Sequence, residues 1–300
     1  MKKFIYQIGL FVVLLFIVNL LLFNLGNDLY YKSYDNHNLN FNNYLFSDSH
    51  GTPLGTHTQQ YNVCNFSMGA DSYIDIKRKI NFLIENTTLD TIYLSADEHM
   101  LSPYREQYNN FDKSAYYATI DDFSSQFEYY KSEASQKIIF FQPKMGAVVR
   151  KYFVTQLENL FMSNKVEEAE VLNTDLNWNE ISKETKDTRI KKRIGTQFDY
   201  QENSIVLKDA LLEIFKVCET NNIVIIGVKF PLTKEYYTIT KDKIFGVETI
   251  FKDNQLKVLD FQSMYIDNGN LFYNEDHLTS KGGKIFADVL FQESQAIIND

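Results

Sequence analysis

Hydrophobic and polar positions divide the chain into one unbroken apolar run and, after a polar gap, a series of short segments whose period changes. From Phe4 to Phe23 only Gln7 and Asn19 are clearly polar, and about 20 apolar residues at 1.5 Å each reach across a bilayer core. This predicts a transmembrane helix within an anchor over 1–25. Residues 26–40, rich in Asn, Asp and Tyr, carry no core-forming period and read as a linker. Aromatic and small polar residues then alternate in Asn40-Phe41-Asn42-Asn43-Tyr44, a short strand that ends at Ser47 and is broken by Gly51-Thr52-Pro53-Leu54-Gly55. Tyr61 to Phe66 reads as a second strand and Thr91 to Ser95 as a third. Between them Ala70 to Glu85 places Tyr73, Ile76, Ile80, Leu83 and Ile84 on one helical face. Strand, helix, strand at this spacing is the parallel βαβ pattern.

After His99 the alternation fails for about a hundred residues, through Tyr104-Arg105, the aromatic region Phe123–Tyr130, a helical stretch from Val148 to Phe161 and a polar, Lys-rich stretch at 173–204. A structureless loop of that length is implausible in a compact domain, so about 100–204 reads as a helical insertion and a candidate lid. The pattern resumes with a helix over 206–220 and a strand from Ile223 to Val228, stopped by Pro231. Leu256 to Phe261 gives a fifth strand and Ser280 to Ile298 a closing helix. Residues 41–300 therefore read as an α/β domain with about five parallel strands, a flavodoxin-like three-layer α/β/α sandwich.

Charge and topology narrow the compartment and the partner. Lys2 and Lys3 precede the apolar run, which predicts a single-pass protein with its N-terminus in the cytoplasm and its body outside. A cleaved secretory signal is the rival, but its apolar region is shorter and no small-x-small site precedes Asn27-Asp28. The formal charge of −9 disfavours nucleic acid or an anionic lipid surface as partner, and a neutral sugar or an acyl-carrying group fits better. Abundant Asn, Lys, Ile, Tyr and Phe with few Pro suggest an AT-rich bacterial genome. Cys64 and Cys218, the 2 cysteines, each lie in an apolar segment and read as buried thiols, with a disulfide not deducible.

The candidate chemistry sits at two ends of the chain. Leu45-Phe46-Ser47-Asp48-Ser49-His50-Gly51 puts a serine just past a strand end, where open α/β sheets collect catalytic groups. Leu271-Phe272-Tyr273-Asn274-Glu275-Asp276-His277-Leu278 puts a histidine just before the last helix. Together these segments resemble the SGNH/GDSL hydrolase superfamily. The resemblance implies Ser49 as nucleophile and His277 as its base. It also implies an oxyanion site from the backbone of Ser49, a glycine after the second strand, matched in outline by Gly69, and a side chain after the third strand. There the family shows Gly-x-Asn-Asp, whereas this chain has Ser95-Ala96-Asp97-Glu98, placing Asp97 where an amide would donate. An ionised carboxylate only accepts, so Asp97 would repel the oxyanion.

The family's aspartate three residues before the histidine is also replaced, by Asn274. An amide there can hold the ring in the wrong tautomer, which leaves Glu275, Asp276 or a backbone carbonyl to orient His277. The resemblance and the anchor together imply acyl transfer or ester hydrolysis on a cell-envelope glycan, beside a membrane-bound O-acyltransferase, without a cofactor. Two alternatives stand. One is a catalytically degenerate envelope protein that binds glycan or an assembly partner. The other is a metal-dependent hydrolase built on the pairs Asp48/His50, Asp97/His99 and Asp276/His277, which take in three of the 5 histidines. In the serine reading, Asp48, His50 and His99 line the substrate side. Arg105 and Arg150 could hold an anionic group, though solvated surface charge accounts for each.

Overall fold

Five parallel strands order the larger of two structural units: β1 (Asn43–Phe46), β2 (Val63–Asn65), β3 (Thr91–Ser95), β4 (Val224–Lys229) and β5 (Lys257–Asp260), arranged β2-β1-β3-β4-β5. Every pairing is parallel, and this order is the flavodoxin-like one that the alternation of strands and helices predicts. The computed structural model describes residues 2–32, 34, 37–161 and 177–298. The predicted polar stretch at 173–204 and the insertion at 100–204 therefore lie partly outside the described residues. Along the chain the helices are α1 (Lys2–Gly26), α2 (Tyr73–Asn86), α3 (Tyr104–Gln107), α4 (Phe111–Ser114), α5 (Gln126–Gln136) and α6 (Pro143–Phe161). They continue with α7 (Lys183–Gln197), α8 (Ile205–Thr220), α9 (Lys234–Thr240), α10 (Val247–Asp253) and α11 (Ser280–Ile298).

β3 is buried at all five positions, as a central parallel strand covered on both faces must be. The register aligns Phe46 with Leu94 and Ser95 with Val228, so the chain leaves β1, β3 and β4 along one edge. β1 continues to β2 on one side while β3 lies on the other, and that reversal opens a crevice at the carboxyl ends. Asp48-Ser49-His50 and Asp97-Glu98-His99 both emerge there.

Local chemistry fixes the flanking elements. Ser72 and Asp75 form a reciprocal capping box that starts α2, whose Tyr73, Ile76, Ile80 and Leu83 are fully buried. Between β1 and β2 the crossover is a run of 3-10 turns over Thr52–Tyr61 in place of an α-helix. α11 packs on that run, and a Cβ at Gly283 would collide with the carbonyl of Pro53 and lie 2.9 Å from Leu54 N. Only glycine lets the two backbones approach so closely, and this contact draws the segment before α11 toward the turn after β1.

The smaller unit comprises Met1–Asn36 and Thr119–Ala169. In it α1 is long and apolar enough to cross a membrane and continues as a wider turn over Asn27–Tyr31, within the predicted linker. Tyr31, Ile139, Met145 and Val149 form a small core with Leu22, Phe23, Leu25 and Tyr30 packed against it. Asn19, one of two polar interruptions in the apolar run, donates its Nδ2 to Lys137 O (3.0 Å) and accepts from Ile139 N at its Oδ1 (3.0 Å). Part of the predicted insertion thus packs on the N-terminal helix, while α3, α4 and α7 belong to the sheet-bearing unit.

Candidate active site

Ser49 sits in the tight turn after β1, where Asp48 Oδ1 accepts the N–H of His50 (3.0 Å) and Asp48 O accepts that of Gly51 (3.3 Å). Gly51 is required here. An added Cβ would lie 2.8 Å from Ser47 Cβ and 2.9 Å from Ser67 Cβ, and closer still to Ser67 Oγ. The loop before α11 is a narrow hairpin closed by the antiparallel bridge Phe272↔Leu278 and by the Tyr273 N–H donating to His277 O (3.1 Å). It delivers His277 Nε2 to within 2.6 Å of Ser49 Oγ. The two segments singled out in the sequence are 228 residues apart and meet as nucleophile and base would.

The orientation of His277 depends on Asn274. Its Oδ1 accepts the backbone N–H groups of Asp276 (3.1 Å) and His277 (2.8 Å) and lies 3.0 Å from His277 Nδ1. Two backbone donors aimed at one atom require that atom to be the amide oxygen, so Nδ1 faces an acceptor and carries the proton. Nε2 then presents its lone pair to the serine hydroxyl. An amide at 274 therefore holds the productive tautomer, because it turns its oxygen to the ring and not its NH2 group. Asp276 adds charge: its Oδ1 is 2.6 Å from the same Nδ1 and 3.2 Å from Arg193 Nη2, and its Oδ2 is 3.6 Å from His50 Nε2, at ion-pair rather than hydrogen-bond geometry. Burial would raise the Asp276 pKa, but His277, His50 and Arg193 outweigh it and hold the carboxyl well below the usual range.

Beneath this pair lies a buried network of the remaining candidates. His50 Nδ1 meets Asp97 Oδ2 (2.9 Å), and its ring stands edge-on to His99 (4.7 Å between centroids) and to His277 (5.1 Å). Burial alone would discharge His50, but Asp48, Asp276 and Asp97 outweigh it, so its pKa stands well above that of a free imidazole. His99 behaves oppositely: burial lowers its pKa despite Asp48, and the neutral ring donates Nε2–H to Asp48 Oδ2 (2.8 Å). Asp48 Oδ2 also takes a short hydrogen bond from Arg105 Nη2. Burial would raise the Asp48 pKa, yet His50, His99 and Arg105 hold it well below the carboxylate range.

Three expectations change on this geometry. Asp97 does not serve as an oxyanion donor. Its Oδ1 accepts the Phe230 N–H (3.1 Å) and its Oδ2 accepts from His50 and from Ser95 Oγ (3.2 Å), so it anchors His50. Asp48 is buried among charged partners and positions the turn, whereas His50 and His99, although buried, also line a cavity of about 290 Å³ together with Asp97, Lys229 and Tyr236. Arg105 is buried against Asp48, not solvated, whereas Arg150 is exposed on α6. Gly69 lies beside the serine turn, since a Cβ there would lie 3.8 Å from Ser49 Cβ. Asn110 Nδ2 fixes that loop by donating to Gly69 O (2.7 Å) and Asp71 Oδ1 (2.8 Å). Among the described residues, neither the Ser49 nor the Gly69 N–H meets a hydrogen-bond acceptor, so both are free to donate to an incoming oxygen.

Arg193 and Asn110 are absent from the sequence reading. Arg193 lies in the charge-rich stretch that becomes α7, and its Nε binds Glu275 Oε1 (2.9 Å) while its Nη2 reaches Asp276. Nothing local distinguishes it from its basic neighbours. Two hollows flank the loop that carries His277. One of about 430 Å³ is lined by Tyr104, Tyr108, Arg189, Lys192, Arg193 and Glu275, and another of about 440 Å³ by Thr52, Pro53, Tyr273 and Leu278 among others.

The donor set also bears on a metal. Asp48, His50 and His99 bring ligand atoms within 4.8 Å of one another, as do His50, Asp276 and His277. A guanidinium already sits on Asp48 and another on Asp276, and that much positive charge repels a divalent cation. The arrangement fits an ion-pair network better than a metal centre.

No protein-family model matches the chain, and no curated protein matches it. Among solved structures it is similar to a "putative acylhydrolase" from Bacteroides fragilis, with 8% sequence identity, a TM-score of 0.38 and coverage of 89% of this chain and 95% of that one. So loose a likeness carries no chemistry, which rests on the site itself.

Proposed function

We propose that this chain is a membrane-anchored enzyme that moves or removes acyl groups on a cell-envelope glycan outside the cytoplasm, through an acyl-Ser49 intermediate. The observation that carries this reading is the 2.6 Å contact between Ser49 Oγ and His277 Nε2, with Nδ1 held by Asn274 and Asp276. In the first half-reaction His277 Nε2 takes the Ser49 proton as Oγ attacks the acyl carbonyl. The N–H groups of Ser49 and Gly69 receive the oxyanion, and collapse expels the alcohol, which leaves with the proton held on His277. In the second, His277 deprotonates a water or a glycan hydroxyl as it attacks the acyl-serine, and then returns that proton to the departing Ser49 Oγ, which restores both groups. Asp276, kept ionised by His50 and Arg193, stabilises the imidazolium in both halves.

The N-terminal lysines and the apolar helix support an orientation with the catalytic body outside. A membrane-bound O-acyltransferase is the proposed source of the acyl group, and the acidic charge of the chain favours a sugar over nucleic acid. The test is intact mass of the full chain in neutral detergent after incubation with a fluorophosphonate. One adduct is expected on the unmodified protein and on an EDTA-treated sample, and none on Ser49→Ala. An adduct that survives Ser49→Ala, or no adduct at all, overturns the serine mechanism. Loss of the adduct in EDTA would assign Asp48, His50 and His99 to a metal.

A further inference from the structure

In the smaller unit, the polar atoms of Asn19 lie in an unexpected place for a bilayer-spanning helix. The apolar run ends at Phe23, so Asn19 lies about four residues, or roughly 6 Å, inside the hydrocarbon end of the span. Among the described residues its hydrogen bonds go to backbone and not to another side chain. Its amide bonds the carbonyl of Lys137 and the N–H of Ile139, the two peptide groups that flank Ile138. Backbone groups at that depth have no water to satisfy them, and one left unpaired costs several kcal/mol in a bilayer. A side-chain amide, which can both donate and accept, answers both.

Two uncovered apolar residues follow Lys137, whose exposed side chain pairs with Glu133 (3.7 Å). Ile138 and Phe141 are exposed, the latter at 63%, beside the buried Ile139. α6, 19 residues and about 28 Å long, turns Met145 and Val149 to the α1 contact. Its further half, Arg150-Lys151-Tyr152-Phe153-Val154 to Leu157, is exposed throughout, with Phe153 at 45% and Leu157 at 52%. On a water-soluble surface such a patch would be an aggregation liability. Aromatic rings mixed with Lys and Arg are instead the composition of helices that lie at the headgroup level, where the rings enter the acyl boundary and the cations reach the phosphates.

We infer that residues 137–157 form a second membrane-contacting element, a loop that dips into the leaflet at the C-terminal end of α1 followed by an interfacial helix, with the lipid bilayer as its partner. The inference rests on the anchor reading of α1 and is independent of the chemistry at Ser49. It gives the chain two attachments to one leaflet, a spanning helix and a monotopic one.

The test uses the full chain in phosphatidylcholine–phosphatidylglycerol nanodiscs with single nitroxide labels at Phe141→Cys and Phe153→Cys, Cys64 and Cys218 being buried. Phe11→Cys serves as a lipid reference and Lys183→Cys as an aqueous one. The ratio of collisions with oxygen to collisions with a nickel chelate is expected to be several-fold higher at 141 and 153 than at 183, and highest at 11. Ratios at 141 and 153 equal to that at 183, with 11 still lipidic, overturn the inference alone. Protection of 141 and 153 from both agents also overturns it, in favour of a protein partner. An aqueous value at 11 removes the anchor on which it rests.

Discussion

Replacing Asn274 by leucine isolates what holds the base in place, because one oxygen there serves three N–H groups, including His277 Nδ1 at 3.0 Å. An orphaned buried donor costs about 1–3 kcal/mol. The ring donor is the one whose loss bears on the reaction, since without an acceptor the imidazole is free to rotate or to change tautomer. When a triad acid becomes an amide in a serine protease, kcat falls about 10⁴-fold. The loss here should be smaller, because Asp276 Oδ1 remains 2.6 Å from Nδ1 and still stabilises the imidazolium. Some 2–3 kcal/mol of transition-state stabilisation lost corresponds to modification of Ser49 roughly 30- to 150-fold slower. The assay is the second-order rate of fluorophosphonate addition followed by intact mass, on protein whose melting temperature shows it to be folded. Asn274→Asp should match or exceed the unmodified chain, since a carboxylate accepts from the same donors. A rate for Asn274→Leu within about twofold of the unmodified chain would refute the assignment of Asn274 as the group that orients His277.

The buried network predicts a two-sided pH dependence of stability. His50 has a raised folded pKa, so its contribution is complete below about 6.5 and is lost as pH rises through the raised value. Asp48 and Asp276, depressed, contribute above the ordinary carboxylate range near 4 and lose that as pH falls through their lowered values, while the neutral His99 adds an acid-side loss below about 6.5. Thermal melts across pH should show His50→Gln lower at neutral pH and without the alkaline decline; parallel alkaline limbs would remove His50 from this role. Gly51→Ala should cost about 1–3 kcal/mol through the contacts with Ser47 and Ser67, lowering the melting temperature by several degrees, and an unchanged melt would show that the turn relaxes freely.

Periodicity carried the sheet and its main flanking helices, but not the smaller unit in which residues 119–161 join the N-terminal helix. The strands from Thr91 to Ser95 and Val224 to Lys229, the amphipathic α2 and the closing α11 are legible because a buried face imposes its period on the residues that form it. The Ser49 and His277 segments were legible too, as chemistry-bearing residues at element ends, and so was the apolar span of α1. What tertiary structure decided is direction and partnership. Asn274, by sequence a defect in the acid position, turns its oxygen to the ring because two backbone N–H groups demand an acceptor there. Asp97, by sequence an obstacle to the oxyanion, is drawn away by His50 and the Phe230 N–H. Arg193 and Arg105 look like surface charge among their neighbours, and become partners of the buried Asp276 and Asp48, Arg193 half-buried and Arg105 buried, only when α7 and α3 are placed. A local pattern records which face of an element is buried. The partner of a charge is set by chain brought together over long separations, which the pattern around each residue does not encode.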